Sequence, residues 1–486
     1  MTQNKSYALP IAMMFALFFM IAFVTGLPSP MGVIVAKQFN ASAFASQLGF
    51  FANFIAYAFM GIPAGKMIEK IGYKKTALAA IIVGISGVSI QFFSGVAGSF
   101  TIYLAGAFIS GFSMCMLNTV VNPMLNTLGG GGNKGNQLIQ SGGSINSIAA
   151  TITPMLVGVL MGAEAGRTIA KANPALFLAI GIFALAFVVL FFIDIPEPHM
   201  ITKAKSKIKD KYSPLSFRHF ILGAIAIFVY VGVEIGIPST ANLFMTAFTS
   251  EQAQEKISEY NKQKSDVAYY NTLLEADKAN IETKGYETKV VGKDTFEKAE
   301  KIIGGKIRPG LGIPAGIAGF LVGIYWLLML VGRLTGASLG AKFSSKSMMT
   351  FVSVLGLVLV ALAIFVPTSI TIDVTKFVRS AVEVRIPISI VFLILCGLCT
   401  SVMWGGIFNL AVEGLGKYTA AASGIFMVMV CGGGIVPLIQ GFVADTAGYL
   451  ASYWVMFACI GYMLYFALIG SKNVNKDIPT AVSTVI

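Results

Sequence analysis

Apolar runs about twenty residues long, separated by short polar stretches, recur along most of the chain, and about twenty residues of helix cross the hydrocarbon core of a bilayer. Twelve runs are legible, at approximately 8–36, 43–65, 76–97, 100–128, 138–162, 174–194, 219–247, 312–339, 348–367, 387–412, 420–444 and 449–470. A strand with an open edge leaves backbone groups unpaired in hydrocarbon, so each run predicts a helix and the expected fold class is an all-α membrane protein. The first run is too long for a signal-peptide core and has no A-x-A site after it, so it reads as a retained span. An even number of crossings puts both termini on one side.

The runs form two groups of six, divided by 195–218, where Pro196, Pro198 and Pro214 flank a lysine-rich linker. The groups echo each other. Gly61, Gly65 and Lys75 recur 271 residues later as Gly332, Gly336 and Lys346, and Asn122 with Leu128-Gly129 recurs 287 residues later as Asn409 with Leu415-Gly416. A duplicated unit is implied, giving two pseudosymmetric six-helix bundles, and repeats of this kind place a binding site at their interface near mid-membrane. The expected organisation is a first bundle at 1–194, a linker at 195–218, the seventh span at 219–247, an insert at 248–311, and five further spans with the tail at 312–486. In the insert, Ile257, Tyr260, Val267, Tyr270 and Leu274 follow a helical period among charges, which fits a small external helical cap or an expanded solvated loop.

Composition removes whole classes of function. Of the 486 residues 56% are hydrophobic and 12% charged, against roughly 45–50% and 25% in ordinary soluble domains, so a soluble enzyme is excluded. The net charge of +13 would suit nucleic acid if it were clustered on a soluble domain, yet residues 251–308 hold 11 basic and 11 acidic side chains and balance to zero. The excess sits in short loops: Lys66, Lys70, Lys74 and Lys75; Lys203, Lys205, Lys207, Lys209, Lys211 and Arg218; Lys342 and Lys346; Lys472 and Lys476. This positive-inside pattern predicts that the linker and both termini are cytoplasmic and the insert external, in a multi-pass plasma (inner) membrane protein without a nucleic-acid partner. His199 and His219 lie beside the linker, and Cys115, Cys396, Cys399, Cys431 and Cys459 lie in apolar runs, so no metal, cofactor or disulfide framework is expected. The Cys396-x-x-Cys399 pair has no flanking βαβ pattern, which favours structural thiols. An intramembrane enzyme would lack the usual histidine base. Gly129–Gly132 with Asn133 and Lys134 departs from phosphate-loop spacing and reads as a flexible connection.

The second and third runs are joined by GKMIEKIGYKK, that is Gly65, Glu69, Lys70, Gly72, Tyr73, Lys74 and Lys75. Its glycines permit close helix approach and a sharp turn, while the acid and bases can pair across the cytoplasmic face and part when the halves separate, as a gate does. The segment resembles the 2–3 loop signature of the major facilitator superfamily. NTVVNPMLNTLG (118–129), INS (145–147), YVGVEIG (230–236), LVGRLTG (330–336), GIFNLAVEGLGKYTAAASGI (406–425) and VPLIQGFVAD (436–445) resemble one branch of it, the fucose and glucose/galactose permease family of sugar–proton symporters. The resemblance implies the major facilitator fold and secondary active transport of sugar by alternating access. The insert has no counterpart in that pattern. Family members carry an Asp in helix 1 and a Glu in helix 4 for proton coupling and sugar binding, and these align with Ser29 and Asn118, neither of which titrates. Proton coupling, sodium coupling and facilitated diffusion therefore stay open.

Ionisable groups inside the membrane are expensive and usually face a cavity. Glu234, deep in the seventh run, is a candidate coupling carboxylate or acceptor for a sugar hydroxyl, or else a structural hydrogen-bonding group. Arg333 reads as nearer the cytoplasmic end of the eighth run, in a gate or snorkelling to the interface. With no Lys or Arg expected at mid-membrane, a neutral solute is favoured over an anionic one. Sugar recognition needs amides for hydroxyls and an aromatic face for the ring; Asn118, Asn122, Asn146, Asn242, Asn409 and Gln440 supply the former, Trp326 and Trp404 the latter. The competing readings are an exporter of hydrophobic compounds, which 22 Met and 37 Phe permit, and a non-transporting membrane sensor, for which the insert speaks. The chain is expected to be a monomer whose partners are lipid, sugar and a proton or sodium ion.

Overall fold

The computed structural model describes residues 7–28, 31, 42–128, 132–160, 172–193, 195, 212–272, 293–305, 308–339, 343–380, 382–415, 418–475 and 477–478. Ser29, the linker lysines, Lys342, Lys476 and Leu274 lie outside the described residues, as do the side chains of Glu69, Val267 and Tyr270.

The first half comprises α1 (Ala8–Gly26), α2 (Ala43–Ile68), α3 (Lys70–Ala97), α4 (Phe100–Leu128), α5 (Gly132–Leu160) and α6 (Asn173–Phe192). The second half begins with α7 (Arg218–Thr246), followed in the insert by α8 (Ser250–Thr272) and α9 (Lys293–Ile303). It continues with α10 (Ala315–Leu339), α11 (Ser345–Phe365), α12 (Ile388–Thr400) and α13 (Met403–Val412), then α14 (Thr419–Met429), α15 (Gly432–Ala447) and α16 (Tyr453–Tyr465), the last running into a π-turn at Phe466–Gly470. Among the described residues 11 helical stretches are long and apolar enough to cross a membrane. The remaining expected span is α5, whose 29 residues suffice in length while its Gly, Ser, Asn and Gln make it less apolar. It packs between α1 and α10, and α2 packs along α15, so these two pairings join the halves.

Three features differ from the sequence expectation. The 2–3 connection is mostly helix: α2 and α3 run into it from both sides and part at Gly72, whose φ of 85° and ψ of 174° are accessible essentially only to glycine. The tenth and eleventh spans are each interrupted, at Ser401–Val402 between α12 and α13 and at Val430–Cys431 between α14 and α15. A two-stranded antiparallel hairpin, β1 (Thr371–Asp373) with β2 (Arg385–Pro387), pairs Ile372 with Ile386 in the connection after α11, so the chain is not wholly helical. The exclusion of strands holds inside hydrocarbon, and this hairpin lies beyond the helix ends.

The insert is a helical pair. Ala253 on α8 packs with Ala299 and Ile302 on α9, Phe248 and Ile257 cover them, and the Tyr260 and Phe296 rings stack at 4.2 Å. Its base is clamped to the end of α7 by Gly310 N–H to Phe248 O (2.8 Å), Leu311 N–H to Phe244 O (3.0 Å) and Ile313 N–H to Met245 O (2.7 Å). At the opposite end of the molecule the tail meets the start of α7, where Asn475 Oδ1 accepts the Arg218 N–H at 2.9 Å. These two faces are the insert end and the linker end of the molecule.

Candidate substrate cavity between the halves

A cavity of about 240 Å³ lies between the two halves, walled by α1, α2, α4 and α5 on one side and by α7, α10 and the two interrupted spans on the other. Ser401 and Val430, at the interruptions themselves, belong to the wall, and the backbone there stays right-handed helical, so each interruption is a local irregularity in a continuous span.

Three amides point inward from the first half. Asn118 Nδ2 donates to Tyr57 Oη at 2.9 Å, Asn122 Nδ2 donates to the Asn118 carbonyl at 3.0 Å, and Asn146 Nδ2 donates to the Phe18 carbonyl at 3.3 Å. In each case the bond fixes the amide plane. Pro123 interrupts the hydrogen-bond ladder of α4 one residue after Asn122. Aromatic surfaces come from both sides: Phe50, Phe54 and Tyr57 stack in series along α2, Trp404 lies 6.1 Å from Tyr230 between ring centroids, and Trp326 meets Tyr325 edge to face at 5.4 Å.

Charge enters from the second half. Arg333 on α10 is only 15% exposed and lines the cavity, so it does not snorkel to an interface. Its Nη1 donates to Gly143 O at 2.7 Å and to Ser147 Oγ at 2.8 Å, both on α5, and its Nη2 faces Glu234 Oε1 at 3.3 Å. One guanidinium thus bridges the halves while a carboxylate of its own half neutralises it. The expectation that no cation would stand among the candidate binding residues is corrected: Arg333 lines the cavity beside Glu234 and its side chain reaches across to α5. Glu234 has a second tie. Pro238, four residues on, cannot donate to the Glu234 carbonyl; the Tyr325 hydroxyl donates to that oxygen at 3.3 Å and lies 3.1 Å from Thr400 Oγ1.

Of the nine sequence-predicted binding residues, the structure brings Asn118, Asn122, Asn146, Glu234, Trp326 and Trp404 into the cavity wall. Asn242 is buried in α7 outside that wall, Asn409 is exposed on α13, and Gln440 is buried in α15, its amide without a hydrogen-bond partner among the described residues. The gating candidates Gly65, Lys70, Gly72, Lys74 and Lys75 lie at the adjoining ends of α2 and α3, away from the cavity, Gly72 buried and Lys70 and Lys75 exposed. Sequence reasoning missed Tyr230, one helical turn before Glu234 on the same face; the spacing of four was the signal. It also missed Tyr57 and Thr25. Thr25 Oγ1 is buried in the cavity wall with no hydrogen-bond partner among the described residues, and nothing in the sequence marks it.

The sequence profile of the Major Facilitator Superfamily matches residues 13–255. The chain belongs to this superfamily of membrane transporters. It is 26% identical over 476 residues to the glucose/galactose transporter of Brucella abortus, covering 97% of this chain and 96% of that one. To the L-fucose-proton symporter of Escherichia coli it is 21% identical over 482 residues, covering 98% and 96%. The crystal structure of the E. coli fucose:proton symporter superposes with a TM-score of 0.61 at 18% identity, covering 96% of this chain and 100% of that one, which shows the shared fold. The protein is thus a multi-pass membrane protein and not an enzyme.

Proposed function

We propose that the protein is a secondary active transporter that carries a neutral, hexose-like sugar together with a proton by alternating access. The observation that carries the reading is the cavity at the interface of the halves, where three oriented amides and two indole faces surround one internally neutralised ion pair, Glu234–Arg333. An anionic substrate would need an unmatched cation; here the carboxylate already holds it. The relatives named as glucose/galactose transporter and L-fucose-proton symporter support the sugar and the proton.

Glu234 supplies a route for coupling that does not need acids at Ser29 and Asn118. A proton taken up on Glu234 removes its charge from Arg333 and leaves Nη2 free for a sugar hydroxyl, while Nη1 keeps its contacts to Gly143 and Ser147. Loss of the proton on the other side restores the pair and expels the hydroxyl. The location is the plasma (inner) membrane, with the linker end cytoplasmic and the insert outside, supported by the lysine distribution. The test is counterflow in proteoliposomes with a panel of labelled hexoses: exchange of at least one, blocked by excess unlabelled sugar, is expected, and no exchange of any hexose would refute the sugar assignment.

A further inference from the structure

α15 closes on Gly441-Phe442-Val443-Ala444-Asp445-Thr446-Ala447-Gly448, which repeats the spacing of Gly65, Glu69 and Gly72 at the end of α2. The final glycines share a backbone state as well as a position, for Gly448 has φ 106° and ψ 160°. At the end of α15 the acid is engaged with the other half. Asp445 Oδ1 accepts the Ala43 N–H at 2.7 Å and Oδ2 accepts the Phe44 N–H at 2.9 Å. One carboxylate therefore satisfies two of the N–H groups that the start of α2 leaves unpaired, and its charge faces the positive end of that helix. Gly441 lies against the Ala43 carbonyl and the Phe44 backbone, too close for a side chain without displacement. One turn along α2, buried Gln47 donates through Nε2 to Ser239 Oγ (3.1 Å) and Thr240 Oγ1 (3.2 Å) on α7. The start of α2 also has a cap within its own half, Ser42 Oγ accepting the Ala45 N–H at 3.2 Å.

We propose that Asp445 is the latch of the insert end, holding it shut by docking on the N-terminus of α2 and withdrawing whenever that end opens. Both partners suit a cycle. Water replaces them on either side when they part, so the contact is firm while the end is closed and exchanged without stranding a buried charge. The inference rests on the alternating-access reading and not on the identity of the substrate. Its test needs no sugar, so its failure is distinguishable from failure of the sugar assignment.

The experiment is the labelling rate of Ser239→Cys in the full-length protein by an impermeant maleimide added outside intact cells, so that the reagent reaches the cavity only through the insert end, above the background of the native cysteines. Ser239 is buried beside the latch and lines the cavity. Asp445→Ala, which loses two charge-assisted bonds, should raise the rate at least about tenfold, a factor equivalent to about 1.4 kcal/mol. Asp445→Asn keeps the shape and one acceptor and should raise it less, and Ser42→Ala, which loses only the cap within the first half, should leave it unchanged. Equal acceleration by Ser42→Ala would reduce Asp445 to a helix cap, and unchanged labelling in both Asp445 variants would overturn the proposal; the Asn variant decides the matter should the Ala variant not fold.

Discussion

Arg333 holds three acceptors with one planar group: Gly143 O and Ser147 Oγ on α5 and Glu234 Oε1 on α7. A lysine ammonium is a point donor on a flexible stem and cannot hold that fork, so Arg333→Lys should keep the charge and lose the bridge. With each charge-assisted bond contributing about 1.5–3 kcal/mol, the Lys variant should lose thermal stability as well as roughly tenfold or more in transport; near-normal transport in the Lys variant would show that charge alone suffices. Thr25 offers the opposite case. Its hydroxyl has no partner in the cavity wall among the described residues, so Thr25→Val should leave stability equal or slightly higher while weakening half-saturation in counterflow by about three- to tenfold, one hydrogen bond's worth. Unchanged half-saturation would mean that the sugar does not reach Thr25. Polar residues in apolar runs made Asn118, Asn122, Asn146 and Glu234 legible in the sequence. Asn242, Asn409 and Gln440 carried the same signal and lie outside the cavity, because a span buried or lipid-facing all round has no polar stripe to fix its rotation. Arg333 was set apart from the binding residues because position along the chain does not show how far a long side chain reaches laterally into the neighbouring half.

At the level of elements, breaks rather than helices carry the information. Counting apolar runs recovers the helices well, since each backbone must satisfy itself in hydrocarbon, but it passes over interruptions inside a run. Ser401 and Val430 lie at such interruptions and both line the cavity. The β1–β2 hairpin was legible and was passed over: Ile370-Thr371-Ile372-Asp373-Val374 and Val382-Glu383-Val384-Arg385-Ile386 alternate apolar and polar residues with the period of a strand, a pattern too short to register as a run of twenty. Gly72 was legible as a turn glycine, and the structure shows what it does: it alone separates α2 from α3 at a backbone setting that costs other residues roughly 1–3 kcal/mol. Gly72→Ala should lower the thermal midpoint of the purified protein by an amount consistent with that cost and reduce transport with it. A wild-type midpoint would mean that the α2–α3 junction adapts without strain.

For the whole molecule, a duplicated bundle gives one interface, and that interface holds the cavity, the ion pair and the contacts of α2 with α15. The lysine distribution supports the proposed orientation, with the linker end cytoplasmic. An impermeant maleimide applied to intact cells should label Glu300→Cys, exposed on α9, and not Lys472→Cys, exposed at the linker end; the reverse pattern would invert the topology. The central claim is that Glu234 couples the proton to the sugar within this interface. Its most direct test is Glu234→Gln in proteoliposomes with a labelled hexose, measuring accumulation driven by an imposed proton gradient and counterflow without one. The account predicts that the variant loses uphill accumulation and keeps counterflow, because the amide holds the geometry and cannot exchange a proton. Accumulation at the wild-type level in Glu234→Gln would contradict it.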